Sequence, residues 1–255
     1  MTKRIESLRI VEKKKLSKDV FVLELTSSGR IPEMKPGQFV EVKIAGSPGT
    51  FLRRPFSVHD VNYSGNTFRL LIQITGKGTE SLSNLRTGDS LNMIYPLGNS
   101  FSLPEKGERI LMAGGGCGIA PLLFLGKYLK SNAFNPDVLL GFKSGERVIE
   151  YDEYSEIGKV YLTTEDGSLG KQGFITDHPI LNSNNYDVIY CCGPDPMMKA
   201  MAKYCRERNI KCEVTLENLM ACGIGACLCC VVDTVRGNLC TCTEGPVFNI
   251  NDLKW

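Results

Sequence analysis

No stretch of the 255 residues approaches the roughly 18 consecutive apolar side chains that a membrane-spanning helix needs, which excludes a helical span. An excess of one charge is also lacking. Thirty Lys and Arg stand against 28 Asp and Glu, a formal net charge of +2, so neither a nucleic acid nor an anionic membrane is expected as partner. Histidine is scarce: only His59 and His178 are present, and both are read as structural. The first residues, with Lys3, Arg4 and Glu6, lack the apolar core of a signal peptide, so a cytoplasmic protein is expected. No internal repeat and no low-complexity segment interrupts the chain. With 42% hydrophobic and 23% charged residues, its composition is that of a globular protein with a real core.

Cysteine is what the chain has in excess. There are 11, and six of them (Cys222, Cys227, Cys229, Cys230, Cys240 and Cys242) fall within 21 positions. An odd total without a secretory signal argues against a disulfide framework, and a dense local cluster argues for metal ligation.

The organisation reads as α+β and multidomain, in three regions. Residues 1–102 carry short β-rich runs, among them Val20–Leu25, Gln38–Ile44 and Thr67–Ile74, separated by turn signals such as Lys35-Pro36-Gly37 and Ser64-Gly65-Asn66. They predict an antiparallel β-barrel or sandwich. Residues 103–215 alternate strand candidates (109–113, 137–142, 159–163, 187–191, 211–215) with helix candidates (121–130, 196–208). That alternation predicts a doubly wound α/β nucleotide-binding domain. Residues 216–255 form a small cysteine-rich subdomain.

Between a predicted strand and a predicted helix lies Gly114-Gly115-Gly116-Cys117-Gly118-Ile119-Ala120-Pro121. Glycines there let a backbone approach a pyrophosphate at a helix N-terminus; a tight turn without ligand is the alternative. Cys192-Gly193-Pro194-Asp195-Pro196 follows another predicted strand and should share the carboxyl edge of the sheet, with Asp195 as a helix cap. In the barrel region, Arg53-Arg54-Pro55-Phe56-Ser57 joins two cations, a ring and a hydroxyl. Arginine can hold a phosphate, Phe56 can face a planar ring, and Ser57 can bond a ring nitrogen; a basic edge strand is the alternative. Gly76-Lys77-Gly78-Thr79-Glu80 reads as a flexible turn with donors suited to a phosphate, or as a hairpin connection leading into a helix-like Ser81-Leu82-Ser83-Asn84-Leu85.

Cys222, Cys227 and Cys230 form C-x4-C-x2-C, the first part of plant-type [2Fe–2S] spacing, and Cys242 can supply a fourth thiolate. A four-cysteine zinc site is the alternative, although it usually takes two short C-x2-C knuckles. Neither needs six cysteines, so Cys229 and Cys240 are read as surplus. Adjacent residues in an extended chain point oppositely, and the C-x2-C step selects Cys230 over Cys229.

Together these motifs resemble the ferredoxin reductase-like superfamily, and more closely the electron-transfer subunits of class B dihydroorotate dehydrogenases. Glu217–Cys227, the closing Cys242-Thr243-Glu244-Gly245-Pro246-Val247-Phe248, and Thr164-Glu165-Asp166-Gly167-Ser168 carry the likeness. The resemblance implies FAD held by Arg54, Pro55, Phe56, Ser57, Leu71, Ile72, Gln73, Gly78 and Thr79, with Phe56 replacing the superfamily's usual tyrosine. The two loops at the sheet edge make Gly114, Gly115, Gly116, Gly118, Cys192, Gly193 and Pro194 the expected NAD site. The resemblance also implies a [2Fe–2S] cluster on Cys222, Cys227, Cys230 and Cys242, and settles Cys242 over Cys240. No catalytic acid or base is expected. The implied partner is an FMN-containing dihydroorotate dehydrogenase catalytic subunit in a heterotetramer of two of each. Electrons would run from that FMN through the cluster and FAD to NAD⁺, in pyrimidine biosynthesis. A reductase subunit of a hydrogenase, sulfide-oxidising or bifurcating complex is one alternative, and a zinc-stabilised flavin-binding regulatory module is another. In Phe142-Lys143-Ser144-Gly145-Glu146-Arg147 the charges conflict, so the expected preference for NAD over NADP follows from the resemblance.

Overall fold

The computed structural model describes residues 3–45 and 49–255, which form two compact units. The first holds residues up to Ser100 together with Glu217–Asp233 and Gly237–Pro246. The second holds Phe101–Leu216, Thr234–Arg236 and Val247–Trp255.

The first unit is built on an antiparallel sheet of β1 (Arg4–Lys15), β2 (Val20–Thr26), β3 (Phe39–Val42), β4 (Arg54–Ser57), β5 (Asp60–Asn62), β6 (Thr67–Gln73) and β7 (Ser90–Leu97). A helix, α1 (Lys77–Ser83), separates the last two. The spatial order is β4-β3-β7-β1-β2-β6-β5, and β4 comes back against β6, so the sheet curls into a half-barrel. Side chains alternate across each strand, and the inward set (Leu8, Ile10, Leu23, Leu25, Phe68, Leu70, Met93 and Tyr95 among them) forms the core. Pro55 is tolerated because β4 is an edge strand: a residue without an N–H would leave a gap in a central ladder. The predicted turn at Gly76–Thr79 is instead the start of α1, whose first turn contains Gly78 and Thr79.

The second unit contains β8 (Ile110–Gly115), α2 (Ala120–Ser131), β9 (Asp137–Phe142), α3 (Tyr151–Ser155), β10 (Val160–Thr164), β11 (Lys171–Gln172), α4 (Ile180–Ser183), β12 (Val188–Cys192), α5 (Asp195–Glu207) and β13 (Lys211–Thr215). Along the chain there follow a two-stranded sheet of β14 (Val231–Thr234) and β15 (Gly237–Cys240), which falls mostly in the first unit, and then β16 (Val247–Asn249) in the second. The main sheet has the order β11-β10-β9-β8-β12-β13-β16. From β8 the chain winds one way through β9, β10 and β11, then returns to the other side of β8 as β12 and β13. This is the doubly wound order, with its switch point between β8 and β12. Ile110–Gly115 and Val188–Cys192 are buried throughout, as strands covered on both faces must be.

Segment 216–255 has no core of its own. β16 pairs antiparallel with β13, through Glu213↔Asn249, Val214↔Phe248 and Thr215↔Val247, and so extends the second unit's sheet. The cysteine-bearing part belongs to the first unit. Forty residues are too few to bury a separate core, so each part joins a neighbouring one.

Candidate functional site

In the first unit, β4 presents Arg54, Pro55, Phe56 and Ser57, each half-buried, along the sheet edge. Arg53 is absorbed by the fold: its Nη1 donates to the carbonyls of Glu41 (3.2 Å) and Asn92 (3.1 Å), and its Nη2 to Asn92 Oδ1 (2.6 Å). Arg54 stands against α1, since a Cβ on Gly78 would lie 3.6 Å from its Nε. A Cβ on Gly76 would meet nothing within 4 Å, so space is open beside that guanidinium's helix. The Thr79 hydroxyl is used locally, accepting from the N–H groups of Thr75 (2.9 Å) and Gly76 (3.2 Å). On β6, Leu71 and Ile72 are buried and Gln73 Nε2 donates to Asp19 Oδ2 (3.2 Å). Ile72 lies wholly in the core and can meet a ligand only through its main chain. An open basic edge with an aromatic ring and a hydroxyl suits a phosphate-bearing planar cofactor.

The second unit brings its two loops together. β8 and β12 are parallel neighbours, with Cys192 opposite Gly114, so the loops that follow them share the carboxyl edge at the switch point. A Cβ on Gly118 would fall 2.4 Å from Gly193 Cα and 2.6 Å from its N, and one on Gly115 2.4 Å from Met197 Sδ. One on Gly114 would fall 2.8 Å from Ile119 Cγ2. Three of the four glycines are therefore closely packed, Gly118 against the backbone of the other loop and Gly114 and Gly115 against side chains. Gly116 alone opens outward: its φ is +55° and a Cβ there would meet nothing within 4 Å. Pro194 occupies the N-cap position of α5 without a side-chain cap, so Asp195 is its first helical residue and not the expected cap.

At the same edge, the loops after β9 and β10 enclose a cavity of about 650 Å³ lined by Ser144, Gly145, Glu146, Asp166, Ser168 and Leu169. The Ser168 hydroxyl accepts from Gly145 N–H (2.7 Å) and donates to Asp166 Oδ1 (2.6 Å). The hydroxyl and N–H of Ser168 hold the Asp166 carboxyl below its ordinary range.

The cysteine loop lies in the first unit. Positive φ angles at Gly223 (+67°), Gly225 (+82°) and Leu228 (+57°) coil it and turn its N–H groups inward. Cys222 Sγ accepts from Ile224 N–H (3.4 Å) and Cys242 Sγ from Gly225 N–H (3.1 Å). The Ile224 N–H chiefly, with those of Cys227 and Ala226 and the Cys227 thiol, brings the Cys222 thiol down to about 6. Burial, and the Cys230 thiol beside it, pushes Cys242 up to about 12.

Cys222 lies beside Cys227, and Cys230 lies beside both Cys242 and Cys240. Among the described residues no three Cys, His, Asp or Glu side chains converge as one metal-binding group. Cys230 is 2% exposed and packs with Cys240, Cys242, Phe39, Leu97 and Met220, whereas Cys229 is at the surface. Glu41, beneath Gly223, was not singled out in the sequence. The signal was there: a lone carboxylate inside the apolar run Phe39-Val40-Glu41-Val42.

Residues 217–254 match the iron-sulfur cluster binding domain of dihydroorotate dehydrogenase B, and residues 7–101 match the oxidoreductase FAD-binding domain. The chain is similar to the dihydroorotate dehydrogenase B (NAD(+)) electron transfer subunits of Caldanaerobacter subterraneus subsp. tengcongensis and Clostridium perfringens. Identity to the first is 38%, over 94% of each chain. Identity to the second is 40%, over 85% of this chain and 86% of the other. Among solved structures, a chain of an NADH-dependent reduced ferredoxin-NADP oxidoreductase superposes with a TM-score of 0.88 at 32% identity, covering 97% of this chain and 90% of that one. The ferredoxin reductase of carbazole 1,9a-dioxygenase shares the fold, with a TM-score of 0.70 at 20% identity.

Proposed function

Because the chain belongs to the family of dihydroorotate dehydrogenase B electron transfer subunits, we propose that it carries electrons from the FMN of a separate catalytic subunit to NAD⁺, with two copies of each subunit in a cytoplasmic complex. It is a flavin-dependent, ferredoxin reductase-like oxidoreductase component whose cofactors are FAD and an iron–sulfur cluster, with NAD as acceptor. One observation carries the reading. The cysteine loop folds onto the half-barrel next to β3, the strand that pairs with β4, so both cofactor motifs share one unit.

A bound flavin exchanges a hydride with nicotinamide and single electrons with a cluster, which is why such a chain needs both groups. The residues' part is to hold and orient. Arg54 takes the cofactor phosphates, Phe56 stacks on the ring and Ser57 bonds a ring nitrogen, while Leu71, Ile72 and Gln73 line it and Gly78 and Thr79 border the phosphates. Gly114, Gly115, Gly116, Gly118, Cys192, Gly193 and Pro194 shape the dinucleotide loops, with Gly116 giving the backbone's close approach. Cys222, Cys227, Cys230 and Cys242 ligate the cluster, and inward N–H groups temper the charge on their sulfurs. Leu219, Ile224 and Leu228 are exposed around those cysteines, an apolar rim suited to the catalytic subunit.

The native complex, isolated anaerobically, is expected to contain an FMN-bearing partner in equal number, with one FAD and one [2Fe–2S] cluster on each copy of this chain. Flavin and cluster absorption, iron and acid-labile sulfide would be measured. Stoichiometric zinc without sulfide would overturn the assignment.

The cavity beside Glu146 and Asp166 bears on the choice of nucleotide. Two carboxylates can accept from ribose hydroxyls but repel a 2′-phosphate. kcat/KM with ferricyanide as acceptor is expected to favour NADH over NADPH, and a preference for NADPH would refute this role for the cavity.

A further inference from the structure

Thr241 stands in the chain between Cys240 and Cys242. It is 0% exposed, and its hydroxyl has no hydrogen-bond partner among the described residues. A buried hydroxyl without a partner costs stability, because it has given up its bonds to water and gained none. Valine, nearly the same in shape, would carry no such cost. An orphaned polar group in a packed interior calls for an acceptor beyond the fold's own atoms.

The surroundings identify that acceptor. The Thr241 N–H donates to the Cys230 carbonyl (3.0 Å), while the N–H groups of Thr243 (3.1 Å) and Glu244 (2.9 Å) donate to that of Cys240. Thr241 is thus tied to one expected cluster ligand, Cys230, and joined in the chain to another, Cys242. Those two cysteines and Cys240 form one buried group with Phe39, Leu97 and Met220. The side chains of that group offer neither oxygen nor nitrogen, only sulfur. Neutral thiols and thioethers are weak acceptors. Thiolates on iron, and the sulfides that bridge the irons, carry negative charge, and an ionised acceptor makes the stronger bond.

We propose that the Thr241 hydroxyl donates a hydrogen bond to a sulfur of the iron–sulfur cluster and thereby raises its reduction potential. This rests on the cluster reading above. Reduction adds one negative charge to the cluster, so a donor stabilises the reduced form more than the oxidised one. The cluster is then easier to fill by a one-electron donor. The N–H groups of Ile224 and Gly225 already donate to Cys222 and Cys242, but those donors belong to the backbone of the coiled loop. The hydroxyl depends on the side chain at position 241, so it is the part of the donor set that a single substitution can remove.

The test compares Thr241→Val, which deletes the hydroxyl and keeps the shape, with Thr241→Ser, which keeps the hydroxyl. Both are made in the chain loaded with both cofactors. Absence of an iron–sulfur cluster from the parent would sink the functional reading itself. With the cluster present, redox titration followed by low-temperature EPR gives its midpoint. In Thr241→Val the ratio of reduced to oxidised cluster at a fixed potential should fall about tenfold. For a one-electron couple that is a midpoint lower by about 59 mV. Thr241→Ser should stay close to the parent, and the flavin midpoint should move in neither. After exchange into D₂O, pulsed EPR should show one more coupled deuteron in the parent than in Thr241→Val. Thr241→Ala, which adds no bulk to the packed group, should show the same fall, and it decides the matter if the valine variant loses its cluster. An unchanged midpoint without the hydroxyl, or an equal fall in Thr241→Ser, would overturn the proposal.

Discussion

Serine in place of Cys222, Cys227, Cys230 or Cys242 is expected to remove the iron–sulfur cluster, while serine at Cys229 or Cys240 leaves it in place. Cluster irons favour soft thiolates, and a hydroxyl is a harder and more basic donor. The four sensitive positions are those of the C-x4-C-x2-C run and the closing Cys242. Cys229 is adjacent to a ligand but exposed, and its neighbour Cys230 is the one turned into the packed group with Phe39, Leu97 and Met220. Cys240 is the harder case, because it too is buried there and touches the Cys230 thiol. Its backbone N–H donates to Glu244 Oε2 (3.0 Å), a bond that does not depend on the thiol. Its replacement should therefore loosen packing and spare the cluster. NADH should still bleach the flavin in all six variants, since the flavin motif lies on β4, outside the cysteine loop. Iron content and low-temperature EPR of the reduced variants decide the matter. A normal signal in Cys230→Ser with loss in Cys229→Ser would reverse the choice between neighbours.

Gly118→Ala is expected to abolish most reduction by NADH while leaving FAD and cluster content unchanged. The added Cβ would lie 2.4 Å from Gly193 Cα, 2.6 Å from Gly193 N and 2.8 Å from Cys192 O. All three are backbone atoms, so no side chain can swing aside. Overpacking of this kind costs about 1–3 kcal/mol, and relief requires the loops after β8 and β12 to part. Those loops are the proposed dinucleotide site, and a displacement of about 1 Å in a positioned substrate can cost about 10²-fold in rate. The half-barrel carries the other cofactor motifs and is a separate compact unit. Steady-state kinetics with ferricyanide, set beside the visible spectrum, measure both halves of the expectation. Unchanged kcat/KM for NADH would show that the contact between the loops is not what positions the nucleotide.

Long elements were legible where their period was strong. Asp137–Phe142 and Lys211–Thr215 begin and end where their apolar runs predict, and α2 and α5 lie within a residue or so of their expected bounds. β1 was not legible. Arg4–Lys15 is dominated by charge, and only Leu8 and Ile10 are buried, so its strand character comes from pairing with β2 and β7 and not from its own pattern. The start of α1 was hidden for a related reason. Gly76 and Gly78 read as turn residues, yet the Thr79 hydroxyl accepts from the N–H groups of Thr75 and Gly76 and stabilises a helical start that propensity disfavours.

What the sequence determined by itself was chemistry that spacing encodes. C-x4-C-x2-C implies a cluster because thiolates at those intervals can reach two irons from one coiled loop, whatever surrounds it. Arg54 to Ser57 and the Gly114–Gly118 run are likewise local, each carried by a few consecutive residues. Tertiary structure decided everything that depends on which distant residues meet. It divided 216–255 between two cores, because strand pairing with β13 and packing on the half-barrel each bury more than forty residues could alone. It showed that Gly114, Gly115 and Gly118 are glycines because neighbouring loops and side chains leave no room for a Cβ, and that only Gly116 opens outward. It also placed Glu41, an ordinary residue in a strand, beneath Gly223 with no hydrogen-bond partner among the described residues. Burial and the lack of a partner are properties of the folded surroundings, and the residue's own neighbours in sequence do not encode them.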